Sequence, residues 1–102
     1  MNRAQFNKVK ELAAIYPACK YHVKKDGKMC AYGLICEAYR ILYQDGEFAK
    51  NLFTQELYFR TDKSVLRDFD LTFDQFNEIL RLNDITANRD KALDYLETLI
   101  KE

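Results

Sequence analysis

Tryptophan is absent from this 102-residue chain, proline occurs once and glycine three times. So few backbone breakers leave little from which to build long loops. The balance of 48% hydrophobic against 31% charged residues is that of an ordinary packed domain, which excludes a disordered chain. No apolar run reaches the roughly 20 residues that a membrane span needs. The first eleven residues form an amphipathic pattern carrying Arg3, Lys8 and Lys10 in place of a signal-peptide core. The expectation is a cytoplasmic protein with no membrane partner. Three cysteines, an odd number without an export signal, fit reduced thiols better than a disulfide framework. Net charge is also missing, but only in sum: residues 1–30 hold seven Lys/Arg against two acids, and residues 31–102 hold nine against fourteen. Such polarity suits a basic face for nucleic acid, an acidic face for a basic partner, or plain solubility.

What is present is organised around residues 29–44. Read at 100° per residue, the non-apolar positions of this stretch, Gly33, Glu37, Arg40 and Gln44, share one narrow stripe, and the remainder is apolar or aromatic. A helix with so little polar circumference must be surrounded by neighbours. It is therefore expected to be the central helix of a bundle, with the stripe open to water and Gly46 at its C-terminal end.

Before it, Phe6, Val9, Leu12, Ala13 and Tyr16 recur at helical spacing over 3–16, and Pro17 ends that helix. Lys20 to Lys25 alternates, and Asp26-Gly27 follows as a turn signal, so an extended segment or short hairpin is expected near 20–28. After the central helix, Phe48, Leu52, Phe53, Leu57 and Phe59 indicate a helix within 47–60, and Val65, Leu66 and Phe69 hint at a short helical turn. Thr72 with Gln75 three residues on is a capping box, and Leu71 before it can pack on Phe76, which places a helix start at Phe73. Phe73, Phe76, Ile79, Leu80 and Leu82 carry that helix to a break at Asn83-Asp84. Asn88 or Thr86 caps a last helix that buries Leu93, Leu96, Leu99 and Ile100, with Glu97 and Lys101 paired outside. The expected fold is all-α, a single-domain bundle of four or five helices over residues 1–102.

Two stretches carry a resemblance. Gly27-Lys28-Met29-Cys30-Ala31-Tyr32-Gly33-Leu34, leading into Ala38, resembles the Gly-x-x-Cys-Ala-x-Gly-Ala-Leu pattern that opens the central helix of small uncharacterised proteins encoded by phages, plasmids and their bacterial hosts. Leu82-Asn83-Asp84 followed by Asn88 to Leu96 is similar to the Asn-Asp dipeptide and capped final helix of the same group. Leu34 and Ile35 stand where that pattern has a small residue and then leucine. The resemblance implies a mobile-element context and no particular activity.

Several constellations bear on function. Cys19, His22, Cys30 and Cys36 are four metal-ligand types, but Cys30 and Cys36 lie about 120° apart on one helix, which disfavours a shared ion. A Cys-His nucleophile using His22 needs a partly exposed, electropositive thiol, whereas Cys30 and Cys36 fall at packed positions. No catalytic residues, metal or cofactor are therefore assigned, and the chain is not expected to be an enzyme. Tyr32, Tyr39 and Tyr43 share one side of the central helix. They supply rigid aromatic area for a partner protein or a second copy of the chain, with Glu37 and Arg40 beside them. Lys20, Tyr21, Lys24, Lys25 and Lys28 form a basic, aromatic-bearing stretch suited to phosphates and a stacked base, but it lacks a glycine-rich phosphate loop or an arginine cluster. The acids Asp62, Asp68, Asp70, Asp74 and Glu78 form the opposite pole, and some of them suit the start of the following helix. The expected function is a non-enzymatic interaction module that docks on a host or defence protein. The alternative is a small nucleic-acid-binding module using Lys20–Lys28.

Overall fold

The computed structural model describes residues 1–19, 24–43 and 63–101. Helix α1 (Arg3–Ala13) starts at a reciprocal cap: Asn2 Oδ1 accepts from the Gln5 amide at 2.8 Å, and Gln5 Oε1 accepts from the Asn2 amide at 2.9 Å. It buries Gln5, Phe6, Val9 and Leu12. The expected end at Tyr16 is three residues too late. The Ile15 and Tyr16 amides both donate to the Leu12 carbonyl, a tightened last turn that takes the chain out of the helix before Pro17.

The chain then runs beside the start of the central helix. Pro17 and Cys19 bracket Met29, whose amide donates to the Pro17 carbonyl at 2.8 Å while its carbonyl accepts from Cys19 at 3.4 Å, a single parallel bridge. Strands β1 (Lys24–Lys25) and β2 (Lys28–Met29) pair antiparallel, Lys24 opposite Met29 and Lys25 opposite Lys28. Asp26 at φ 52° and Gly27 at φ 78° make the left-handed two-residue turn that a tight hairpin requires. The rest of the expected extended segment, residues 20–23, lies outside the described residues, as do the expected Gly46 cap and the helix within 47–60.

Helix α2 (Ala31–Tyr43) is the hub. Its nine residues from Ala31 to Tyr39 are all buried, and it packs against α1 and against three later helices, α3 (Lys63–Asp68), α4 (Phe73–Asp84) and α5 (Arg89–Glu97). Met29 belongs to β2 and Cys30 caps the helix, so α2 begins two residues later than its apolar run. Neighbours on every side also remove the expected wet stripe. Gly33 and Glu37 are buried and Arg40 is half-buried, while Gln44 lies outside the described residues.

The short helical turn expected around Val65 is α3, and it buries Val65 and Leu66 with Phe69 just beyond. It ends in a Schellman motif: Leu71 donates to the Leu66 carbonyl, Asp70 donates to Arg67, and Asp70 takes the left-handed conformation at φ 53°. The capping box of Thr72 and Gln75 opens α4 at Phe73 as expected, and Asn88 caps α5 by accepting from the Lys91 amide. Several expectations fail here. Asn83 and Asp84 lie within α4, so the chain leaves the helix after them, and Leu99 and Ile100 lie past the end of α5 and are half-buried. Phe73 is exposed, because it stands in the first turn beyond the reach of the core, although its ring lies 6.1 Å from that of Phe76. Lys101 lies past the end of α5, and its ammonium pairs with Asp70 at 2.9 Å rather than with Glu97. The described residues form a small all-α domain with one miniature hairpin.

Candidate functional site

Two side chains from the α4–α5 junction build the most elaborate polar structure among the described residues. Asn83, read from sequence as a helix breaker and as half of the Asn-Asp dipeptide, sits inside the last turn of α4 and is 2% exposed. Its Oδ1 accepts from the Ala31 amide at 2.9 Å, the first donor of α2. Its Nδ2 donates to the Cys19 carbonyl at 3.0 Å and to Asp84 Oδ1 at 2.8 Å. One amide thus satisfies an orphan donor at the N-terminus of the central helix and pins the loop after α1.

Arg89, the first residue of α5, does the same for carbonyls. Its Nη1 donates to the Tyr16 and Met29 carbonyls at 2.7 and 3.0 Å, and its Nη2 donates to Ala13 at 3.0 Å. The guanidinium therefore closes the carbonyl end of α1 and ties it to β2, a cation at the negative pole of a helix. Burial pulls its pKa below the ordinary arginine value, with Asp90 opposing. Among the described residues no carboxylate hydrogen-bonds to it, and its Nε is buried without a partner.

Between these two residues lies a cavity of about 230 Å³, lined by Ala18, Cys19, Asn83, Ala87 and Arg89. Ala87 enters it from a left-handed turn at φ 53°. The Cys19 thiol is half-buried there, and burial raises its pKa. The Lys25 backbone and the Arg89 and Lys28 charges act against that rise, while Asp84 adds to it. Cys30, one residue past the bridged Met29, caps α2: its Sγ accepts from the Gly33 amide at 3.3 Å. A cysteine at a helix N-terminus is commonly acidified, but here burial dominates and pushes the thiol up to about 12. Cys30 is a neutral cap at physiological pH, and Cys36 is buried within α2.

The remaining candidates are dispersed. Tyr32 and Tyr39 are 1% and 4% exposed: Tyr32 packs edge-on to Phe76 at 4.8 Å, and Tyr39 lies 6.4 Å from Phe69. Core packing consumes both rings, so of the three tyrosines only Tyr43 offers a surface to a partner. Its ring stacks on Tyr39 at 5.0 Å, and its hydroxyl accepts from Gln5 Nε2 at 2.8 Å. Gln5 also donates to the Asp68 carbonyl, so this buried amide joins α1, α2 and α3. Glu37 and Arg40, both on the stripe, form a two-pronged pair within α2. The carboxylate is buried beneath the partly exposed guanidinium and raises its pKa. Of the basic stretch, Lys25 and Lys28 are exposed across the hairpin from each other, Lys24 pairs with Met29 in β1, and Lys20 and Tyr21 lie outside the described residues, as does the ligand candidate His22. Among the described residues no group of three or more His, Cys, Asp or Glu is placed to hold a metal, and no helix is long and apolar enough to cross a membrane.

Past Tyr39 the burial of α2 stops. Ile41, Leu42 and Tyr43 are 37%, 38% and 44% exposed. Three successive residues at 100° steps cannot share one face, so the last turn of the hub helix is accessible from several directions.

Comparison of the chain with family models, with curated proteins and with solved structures finds no match.

Sequence reading marked Asn83 as a helix break and as part of the Asn-Asp dipeptide of the resemblance, and Arg89 as part of the capped final helix, but gave neither a role in a site. The signal for Asn83 was its place between apolar Leu82 and the following turn, where a helix-compatible amide can face inward. Arg89 gave no signal beyond its position after the Asn88 cap.

Proposed function

We propose that this chain is a non-enzymatic protein-interaction module, from a phage or other mobile element as its sequence resemblance implies, that docks on a host or defence protein. The observation that carries this reading is the exposed turn Ile41-Leu42-Tyr43 at the end of an otherwise buried helix. Leaving large apolar side chains in water gains nothing for the fold, whereas a rigid helix end with an anchored tyrosine loses little entropy when a partner covers it. Tyr43 is pre-positioned by its bond to Gln5. The thiols do not support a nucleophilic enzyme, since burial disfavours the thiolate at Cys19 and Cys30 alike.

The test is affinity capture from lysate of a bacterial host, comparing the natural chain with Leu42→Asp at equal amounts of folded protein. A specific captured protein should be lost from the variant by about tenfold or more, a difference of roughly 1.4 kcal/mol in binding. Equal capture by both chains would remove this turn as the docking surface and the reading with it.

The second reading is nucleic-acid binding through the hairpin. It is favoured by the register that sets exposed Lys25 opposite exposed Lys28, like charges that repel unless an anion lies between them. Binding of this kind falls steeply as salt rises, and a flat response in a salt titration disposes of it.

A further inference from the structure

Two of the three thiols stand where the chain after α1 meets the chain before α2. Met29 exchanges its two backbone hydrogen bonds with Pro17 and Cys19, so its partner in the parallel bridge is Ala18. Parallel register advances one residue on both chains together, which makes Cys19 and Cys30 the next opposed pair. Cys30 is the N-cap of α2, its carbonyl accepting from the Leu34 amide, and an N-cap residue still has extended backbone. Side chains alternate along extended backbone, so Cys19 and Cys30 leave on one face while Ala18 and Met29 take the other.

A regular ladder would continue with the Ala31 amide on the Cys19 carbonyl. Asn83 takes the place of that rung: its Oδ1 accepts from Ala31 at 2.9 Å and its Nδ2 donates to Cys19 at 3.0 Å. The inserted amide holds the two chains together and parts them beyond the usual strand spacing of about 4.8 Å. Disulfides span Cα separations of about 4.4–6.8 Å, most often near 5.5–6 Å, so a slightly widened pair suits the bond. Burial above all raises the Cys30 pKa, and negative charge at Cys19 adds to the rise, as it does only between neighbouring groups. All of these contacts are made by described residues. Cys36 is no rival, since it lies roughly 9 Å farther along α2.

We propose that Cys19 and Cys30 are a reversible dithiol pair that closes to an intramolecular disulfide, tying the start of α2 to the chain after α1 and ringing off residues 19–30 with their basic hairpin. The structure holds the reduced form. The oxidant is a small-molecule disulfide such as glutathione disulfide, and the half-buried Cys19 is reached before Cys30, which is 3% exposed. The Cys19 thiolate attacks one glutathione sulfur, a mixed disulfide forms and the first glutathione leaves as thiolate. The Cys30 thiolate then attacks the Cys19 sulfur and expels the second. Two protein thiols and one glutathione disulfide become one protein disulfide and two reduced glutathiones.

The test equilibrates the natural chain with glutathione disulfide at mildly alkaline pH, quenches with acid, blocks remaining thiols with N-ethylmaleimide in denaturant and reads the peptides by mass spectrometry. The expected product links Cys19 to Cys30, leaves Cys36 blocked by maleimide and reverts with excess reduced glutathione. The same sequence in concentrated urea measures what an unfolded chain does. The ratio of cross-linked to glutathione-capped chain should be about tenfold or more higher in the folded protein, because the fold raises the effective concentration of one thiol at the other. Cys36→Ala should cross-link as the natural chain does, and Cys30→Ser should stop at glutathione on Cys19. If Cys30→Ser does not fold, the natural chain and Cys36→Ala decide. A folded-state ratio no higher than that in urea would overturn the proposal. So would a link to Cys36, a link between two chains, or failure of Cys19 to react.

Discussion

At its N-terminal end α2 is held from outside: Asn83 accepts from the Ala31 amide, Cys30 caps Gly33, and Arg89 binds the carbonyl of Met29 just ahead. At its C-terminal end Ile41 and Leu42 have more than a third of their surface in water, and Tyr43, 44% exposed, is held by its hydroxyl on Gln5 and by its ring beside Tyr39. The difference follows from burial. Orphan N–H groups at a buried helix start must find protein acceptors, so a buried end recruits polar side chains from distant parts of the chain. Exposed side chains place no such demand on distant parts of the chain. Specific polar architecture accordingly accumulates at one end of the hub, and free apolar surface is left at the other.

That contrast can be broken by substitution. Leu34→Ala, at a fully buried position near the held end, should cost about 2 to 5 kcal/mol in urea unfolding, because it removes apolar contacts and leaves a cavity. Asn83→Ala should come next, at roughly 1 to 3 kcal/mol, since it strands the buried Ala31 donor and frees the Cys19 carbonyl. Leu42→Ser, at the bare end, should stay within about 0.5 kcal/mol. If Leu42→Ser approached Asn83→Ala in cost, the two ends would not differ in the way described.

The elements were legible where a local device marks them. Thr72 with Gln75, Asn88, and Asp26-Gly27 each act within four residues, so their outcome is fixed by the chain on either side. The pair Asn2 and Gln5 follows the same logic as Thr72 and Gln75 and could have been read the same way. The stripe of Gly33, Glu37 and Arg40 was recognised as a geometric set, but its exposure was inferred from polarity alone. Polarity does not reveal how many neighbours a helix has. Glu37 is buried because Arg40, one turn along, supplies its counter-charge from the edge of the packed region. The same reasoning misplaced Tyr32 and Tyr39, whose rings are needed to fill space against Phe76 and Phe69. The cavity was invisible in the sequence, since its lining residues run from Ala18 to Arg89 and no spacing rule relates them.

By itself, then, the order of residues determined that the chain is helical, that the stretch beginning near Met29 is its hub, and where α4 and α5 start. Those features rest on periodicity and on hydrogen bonds between near neighbours. The partners of Asn83 and Arg89, the depth of Glu37 and the accessibility of Ile41 and Leu42 were decided only when the helices packed. Each depends on atoms more than a helical turn away in sequence or on how fully neighbours cover a surface, and a linear pattern encodes neither directly.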